Sequence, residues 1–158
     1  MGDLPVTPRG FELLQNKLRT IKDDQLPKVE QRLGAARELG DLSENSEFDA
    51  AREELWRLEQ LIGELQDQLA RAQVVLPSQV DQTVVSFGAT VTLENLATHR
   101  EETWTIVGHG EADVDQGRIS VNSPLASGLV GAKSGELREI DLPAGKRTFK
   151  IVRFSYSE

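Results

Sequence analysis

The chain contains no cysteine. Disulfides, thiolate metal sites and a cysteine nucleophile are thereby excluded, and the composition fits a cytoplasmic protein. Histidine is nearly missing as well. His99 and His109 stand in the second half without metal-ligand spacing and read as ordinary loop residues. No apolar run is long enough to span a bilayer, so no membrane contact is expected. Met1-Gly2-Asp3-Leu4-Pro5 lacks the basic and apolar regions of a secretory signal. Gly2 does not open a myristoylation motif either, because position 6 is Val6 instead of Ser or Thr. Positive charge is also in deficit. The net charge is −8, shared by both halves, whereas a non-specific duplex binder needs the opposite balance. Contact with nucleic acid must then be local or arranged by a partner, and a protein or metal partner is the better expectation.

What the chain does have is a long helical repeat. Thr7-Pro8 supplies an N-cap hydroxyl and a proline at the first helical position. From there to Gly40 the apolar residues Phe11, Leu14, Leu18, Ile21, Leu26, Val29, Leu33 and Ala36 follow a helical period. A one-residue skip between Ile21 and Leu26 coincides with Pro27, and a kink or local unwinding is predicted there. In the next helix Phe48, Leu55, Ile62 and Leu69 are seven apart, as are Ala51, Leu58, Leu65 and Ala72. This a/d seam is the mark of a coiled coil. Pairing the two apolar series from the inside outward keeps partners equidistant from a point between Ser43 and Glu44. An antiparallel hairpin of about 50 Å follows from the helical rise, with its reversal at that point.

Around Leu76-Pro77-Ser78 the period changes to that of strands. Strands are predicted at 90–93, 103–107, 118–121, 136–142 and 148–156, with a short helix opened by Ser123-Pro124 and closed at Gly131. Most of the few aromatics lie here: Phe87, Trp104, Phe149, Phe154 and Tyr156. The fold class is α+β. Residues 1–76 form the coiled-coil arm with an acidic tip at 40–47, and residues 77–158 form a small antiparallel sheet with one short helix.

The reversal carries the chemistry. From Glu38 to Glu54 there are seven acids against one base, Arg52. Asp41 and Glu44 form a pair of carboxylates on an exposed turn. Mg²⁺ commonly takes one or two protein carboxylates and completes its shell with water and substrate phosphate. Such a pair is an incomplete site, able to hold a metal or orient a water only beside other ligands. Asp-x-x-Glu is also a capping box, with Asp41 as N-cap and Glu44 at N3, and acids at a helix start are favoured by the macrodipole. On the residues alone both readings stand. Arg37 and Arg52 flank the acids from opposite helices and are candidates for a phosphate backbone near the tip, or for weak surface pairs with neighbouring glutamates. Lys146, Arg147, Lys150 and Arg153 make a solvated strand face or a docking surface for an acidic partner.

The run Gly40-Asp41-Leu42-Ser43-Glu44-Asn45-Ser46-Glu47-Phe48, with Ala36-Arg37-Glu38 before it and Ala50-Ala51-Arg52 after it, resembles the signature of the bacterial Gre transcript-cleavage factors, GreA type. Thr7-Pro8-Arg9-Gly10, 87–93, Ile106-Val107-Gly108, Glu111-Ala112-Asp113 and 119–124 resemble further motifs of that family, so the likeness spans nearly the whole chain. It implies an FKBP-like fold for the second domain, which docks at the rim of the RNA polymerase secondary channel while the hairpin enters it. It implies a transcription elongation factor that stimulates polymerase to cleave the 3′ end of backtracked nascent RNA. Asp41 and Glu44 would assist a second Mg²⁺ and its attacking water, supported around the tip by Gly40, Leu42, Ser43, Asn45, Glu47 and Phe48. On this resemblance the chain is a monomer and not an enzyme by itself. It has no cofactor of its own and no metal site in the free protein, and it reaches DNA only through polymerase. Phe48 replaces the tyrosine of many members, a change that reads as packing. Low basic content along the arm (Arg37, Arg52, Arg57) fits GreA over the more basic GreB. Two other functions are open: a channel-binding inhibitor without cleavage stimulation, and an FKBP-like prolyl isomerase or chaperone, which would need a concave aromatic pocket.

Overall fold

The computed structural model describes residues 3–39 and 45–157. The chain divides into two compact units, one made of Met1–Phe11 with Ala72–Glu158, the other of Glu12–Arg71. The sequence places the boundary at 76/77. The structure groups the first residues and the segment from Ala72 with the sheet instead, and the reason is a strand pair that sequence reading missed. β1 (Leu4–Val6) and β2 (Ala72–Val74) run parallel, with Val6 opposite Val74. Val6 is fully buried and its carbonyl accepts from the Val75 N–H at 2.9 Å. The long helix therefore ends at Arg71, and Ala72, though in heptad phase, is in a strand.

Helix α1 (Pro8–Thr20) begins as the sequence predicts. The Thr7 hydroxyl accepts from the Gly10 N–H at 2.9 Å, satisfying one of the donors a helix start leaves unpaired. A π-helical turn, Ile21–Gln25, then leads into α2 (Leu26–Arg37). Its wider winding is marked by the Leu26 N–H bonding to the Ile21 carbonyl, five residues back. Pro27 has no N–H to offer, and its ring would crowd the carbonyl four residues earlier. One extra residue taken up in a π-turn relieves that crowding and absorbs the skip in the heptad. The predicted local unwinding is thus present, in a defined form.

Helix α3 (Ser46–Arg71) supplies the second half of the seam. Buried along the arm are Ile21, Val29 and Ala36 from the first limb and Ala51, Leu58 and Leu65 from the second. Leu14, Leu18, Leu26, Leu55, Leu61 and Ile62 pack against Ile21, Val29, Leu58 and Leu65. All of these except Leu61 are positions that pair about a point between Ser43 and Glu44. Leu58, with no exposed surface, contributes about 1.5–3 kcal/mol by burial.

In the other unit, β3 (Thr90–Asn95), β4 (Arg100–Val107), β5 (Arg118–Ser120), β6 (Leu137–Leu142) and β7 (Gly145–Ser155) form one sheet in the order β5-β4-β3-β7-β6. All neighbours are antiparallel except β4 and β5, which are parallel. The expectation of a purely antiparallel sheet is corrected at that edge. There the chain crosses over through a short 3-10 turn, Val114–Gln116, instead of a hairpin. Helix α4 (Pro124–Leu129) is capped by Ser123, whose hydroxyl accepts from the Ala126 N–H. Val91, Leu93, Ile106, Leu129 and Ile151 are fully buried at the centre of the core. Threonine pairs across β3 and β4, Thr90 with Thr105 and Thr92 with Thr103, join hydroxyls at 3.0 and 3.2 Å.

Candidate functional site

Gly40, Asp41, Leu42, Ser43 and Glu44 lie outside the described residues, so the site is built from the helix ends on either side. Helix α3 starts at Ser46 because Asn45 caps it: the Asn45 Oδ1 accepts from the Phe48 N–H at 3.0 Å. The capping role weighed for Asp41 therefore belongs, for this helix, to Asn45. Asparagine is among the best N-cap residues, and the spacing Asn45-x-x-Phe48 carried that signal. It was masked by the more familiar Asp-x-x-Glu box four residues earlier. Glu47 and Asp49 occupy the first turn of α3, where the helix dipole favours acids.

The same Asn45 side chain reaches the other limb. Its Nδ2 donates to the Ala36 carbonyl at 2.7 Å, an oxygen that also accepts from the Leu39 N–H at 3.2 Å. That carbonyl belongs to the last turn of α2, where helices leave acceptors unpaired. One residue further, the Arg37 guanidinium lies over the Phe48 ring, 5.8 Å from its centroid. This is cation–π geometry. The structure thus brings together Arg37, Asn45 and Phe48, three of the residues singled out in the sequence. Arg52 stands apart from them, on an exposed face with Glu53, Leu55, Trp56 and Glu59. Glu47 borders a separate groove with Arg32, Ala35, Ala36, Leu39 and Ala50.

Charge lower on the arm is arranged as surface pairs. Arg57 bonds Glu54 at 2.6 Å, which raises the arginine and lowers the carboxyl from their usual values. Lys28 pairs with Asp24 at 3.2 Å. On the β7 strip Lys146 lies 3.3 Å from Glu139 and 3.8 Å from Asp141, and those acids hold its ammonium above the usual lysine range. Among the described residues, no group of three or more acidic or histidine side chains could hold a metal ion.

A concave pocket in the sheet-containing unit is lined by Thr7, Pro8, Val75, Pro77, Phe87 and Arg118 among others, and Phe87 is its only aromatic wall. Phe149 is buried in the core, while Trp104, Phe154 and Tyr156 pack against it. The Phe154 and Tyr156 rings meet edge to face with centroids 6.2 Å apart, and the Tyr156 hydroxyl donates to the Val84 carbonyl at 2.5 Å. The aromatic pocket that a prolyl isomerase requires is not assembled from these residues.

Glu111 belongs to a stretch that the sequence marks only by family resemblance, with no role attached to it. It is 8% exposed and accepts from the Thr7 N–H and the Gly108 N–H, each at 3.0 Å, and from the Thr7 hydroxyl. It fastens the first turn of α1 to the loop after β4. Nothing in the sequence separates this acid from its exposed neighbours.

Two family models match the chain: the N-terminal domain of transcription elongation factors over residues 4–74, and the C-terminal domain of transcription elongation factors GreA/GreB over residues 80–156. The transcription elongation factor GreA of Alkalilimnicola ehrlichii is 43% identical over 158 residues, covering 99% of this chain and 100% of its own. That of Hyphomonas neptunium is 42% identical over 156 residues, covering 99% of each. Among solved structures, the chain is similar to GreA factor homolog 1 (Gfh1) of Thermus thermophilus, at 29% identity over 96% of this chain and 98% of that one, with a TM-score of 0.44. It is also similar to a GreA/GreB factor from Nitrosomonas europaea, at 31% identity over 63% of this chain and 90% of that one, with a TM-score of 0.42. Both halves of the chain match in order and nearly end to end, and on that ground it belongs to the GreA/GreB family of transcription elongation factors.

Proposed function

We propose that the chain stimulates RNA polymerase to cleave the 3′ end of backtracked RNA, in the cytoplasm of a bacterium. The arm enters the polymerase through its secondary channel, and the sheet-containing unit docks at the channel rim. One observation carries the reading. The two limbs of a coiled-coil hairpin are drawn together by Asn45 and by the Arg37–Phe48 pair on either side of a segment that contains Asp41 and Glu44. A narrow stalk, about 20 Å across two helices, whose limbs are joined in sequence by a segment carrying two acids, suits insertion into another enzyme.

The chemistry is hydrolysis of a phosphodiester. Water attacks phosphorus, the 3′ oxygen of the upstream RNA leaves, and a short 3′ fragment with a 5′ phosphate is released. A polymerase-bound Mg²⁺ supplies Lewis acidity and lowers the pKa of water. Asp41 and Glu44 contribute carboxylate oxygens that orient the incoming water and accept its hydrogen bonds. Two carboxylates fill only part of the coordination shell of Mg²⁺, so the factor adds to a site that polymerase provides. Arg37, already over Phe48, and Arg52 supply positive charge to the RNA backbone.

The test uses a stalled, backtracked elongation complex with wild type, Asp41→Asn and Glu44→Gln. Neither variant removes the Asn45 cap, so arm helicity should persist. The expected result is a steep loss of RNA cleavage with polymerase binding retained. Equal cleavage by all three proteins would overturn the proposal.

A further inference from the structure

We propose that Asn45 is a positioning residue for the cleavage reaction: its carboxamide clasps the two limbs and fixes the base from which the segment 40–44 is presented. The inference rests on the reading of Asp41 and Glu44 as carboxylate donors.

A single amide group serves both helix ends. Its oxygen accepts from the Phe48 N–H at the start of α3 and its nitrogen donates to the Ala36 carbonyl at the end of α2. The Phe48 N–H is one of the donors that a helix start leaves unpaired, and the Ala36 carbonyl, in the last turn of α2, takes the Asn45 amide beside the Leu39 N–H. Only one orientation of the amide satisfies both, since the Phe48 N–H needs an acceptor and the Ala36 carbonyl needs a donor. Serine, threonine and aspartate cap helices as well as asparagine does, but none offers a second, donating atom at the same reach. The cap alone therefore does not account for asparagine here; the bridge does. Ala36, to which it is tied, is a buried seam residue facing the other limb. Any displacement at this bond is thus resisted by the packed core of the arm. The Arg37–Phe48 contact spans the same gap one residue further along, so the limbs are joined at two adjacent levels.

Without the clasp, only the Arg37–Phe48 contact and the packed seam would join the two helix ends at this level, and those ends would have more latitude. Reactions assisted by an oriented group are sensitive to such latitude; a displacement of about 1 Å can lower the rate by up to about a hundredfold.

Asn45→Asp keeps the acceptor for Phe48 and turns the donor towards Ala36 into an acceptor. Asn45→Ser keeps a cap without added charge and does not reach Ala36. Both are assayed in the backtracked complex beside wild type and Asp41→Asn, with factor concentration and Mg²⁺ varied. Both Asn45 variants should lower maximal cleavage about tenfold, with half-saturating factor concentration within twofold of wild type. They should also raise the Mg²⁺ concentration needed for half-maximal cleavage, which a loss of helix stability alone would not do. In the free wild-type protein, the Asn45 side-chain amide should exchange its protons more slowly by NMR than an unbonded asparagine. If Asp41→Asn is inactive while both Asn45 variants match wild type in rate and Mg²⁺ dependence, the clasp is refuted and the carboxylate reading stands. If Asp41→Asn itself cleaves like wild type, the carboxylate reading fails, and the clasp's role in catalysis fails with it. Unprotected Asn45 amide protons in the free protein would also refute the clasp.

Discussion

Replacing Gly10 with alanine would set a methyl carbon against the carboxyl group of Glu111, closer to all three of its terminal atoms than any side chain tolerates. Glu111 cannot simply turn away. Its Oε2 lies against the Gly108 backbone, accepting from that N–H at 3.0 Å, and its oxygens hold three donors in all. The Gly108 N–H is buried, so losing its acceptor costs about 1–3 kcal/mol; the two Thr7 donors can find water and lose about 1 kcal/mol each. Against this, alanine is favoured over glycine within a helix by about 1 kcal/mol. The net expectation is destabilisation of the sheet-containing unit by about 2–4 kcal/mol. Urea unfolding followed by Trp104 fluorescence reads that unit alone if the exposed Trp56 of the arm is first changed to phenylalanine. In a Glu111→Ala background the same Gly10→Ala change should lose most of its effect, because the obstructing carboxyl is gone. A Gly10→Ala protein as stable as its parent, or about 1 kcal/mol more stable from helix propensity, would refute the role assigned to Glu111.

Three further outcomes follow from the packing. Leu58→Ala should destabilise the arm by about 2–5 kcal/mol, the range for emptying a buried leucine site, measured as helicity lost on heating; a cost below about 1 kcal/mol would mean the seam is not packed there. Deleting Asp24 together with Pro27→Ala should remove the π-turn, join the heptads and leave thermal stability equal or higher, whereas deleting Gln31 in the unaltered arm should break the seam. Burial raises the Tyr156 hydroxyl above its usual value of 10.0. An acid raised on folding holds its proton in the native state after the unfolded chain has lost it, so its contribution is present below pH 10 and falls away above it. Tyr156→Phe should therefore show a flatter loss of stability between pH 10 and 11 than wild type, and identical slopes would exclude Tyr156 as the titrating group.

The arm was legible because its information is periodic. Pairs such as Val29 with Leu58 and Ala36 with Ala51 follow from a repeat that only an antiparallel hairpin satisfies, and burial at those positions bears it out. The fault at Pro27 was equally legible, since a missing N–H and a skipped residue point to the same turn. Strands β3, β4 and β7 were visible in their β-branched and aromatic residues, and β6 in the Pro143-Ala144-Gly145 turn that joins it to β7. The parallel pairing of β4 with β5 was not, because register between strands joined by a crossover is set by long-range packing. β1 and β2 escaped for a related reason: Leu4-Pro5-Val6 is too short to show a period, and Ala72-Gln73-Val74 continues the heptad while its backbone is extended. At the candidate site the residue types were legible and the bonds were not. Asn45 could be placed near the tip, but that its one amide would serve Ala36 and Phe48 depends on the helices having already paired.

The three-residue pair of β1 with β2 has a consequence for how this molecule can be rebuilt. Parallel neighbours cannot be closed by a tight turn and require a long crossover; here the crossover is the entire arm. The arm is therefore a cassette whose two ends leave from adjacent strands, inserted into a unit whose five-stranded sheet it never enters. A hairpin of different length or different tip chemistry could be exchanged between Phe11 and Ala72 without severing a bond of that sheet, provided it returns its ends to the same two places.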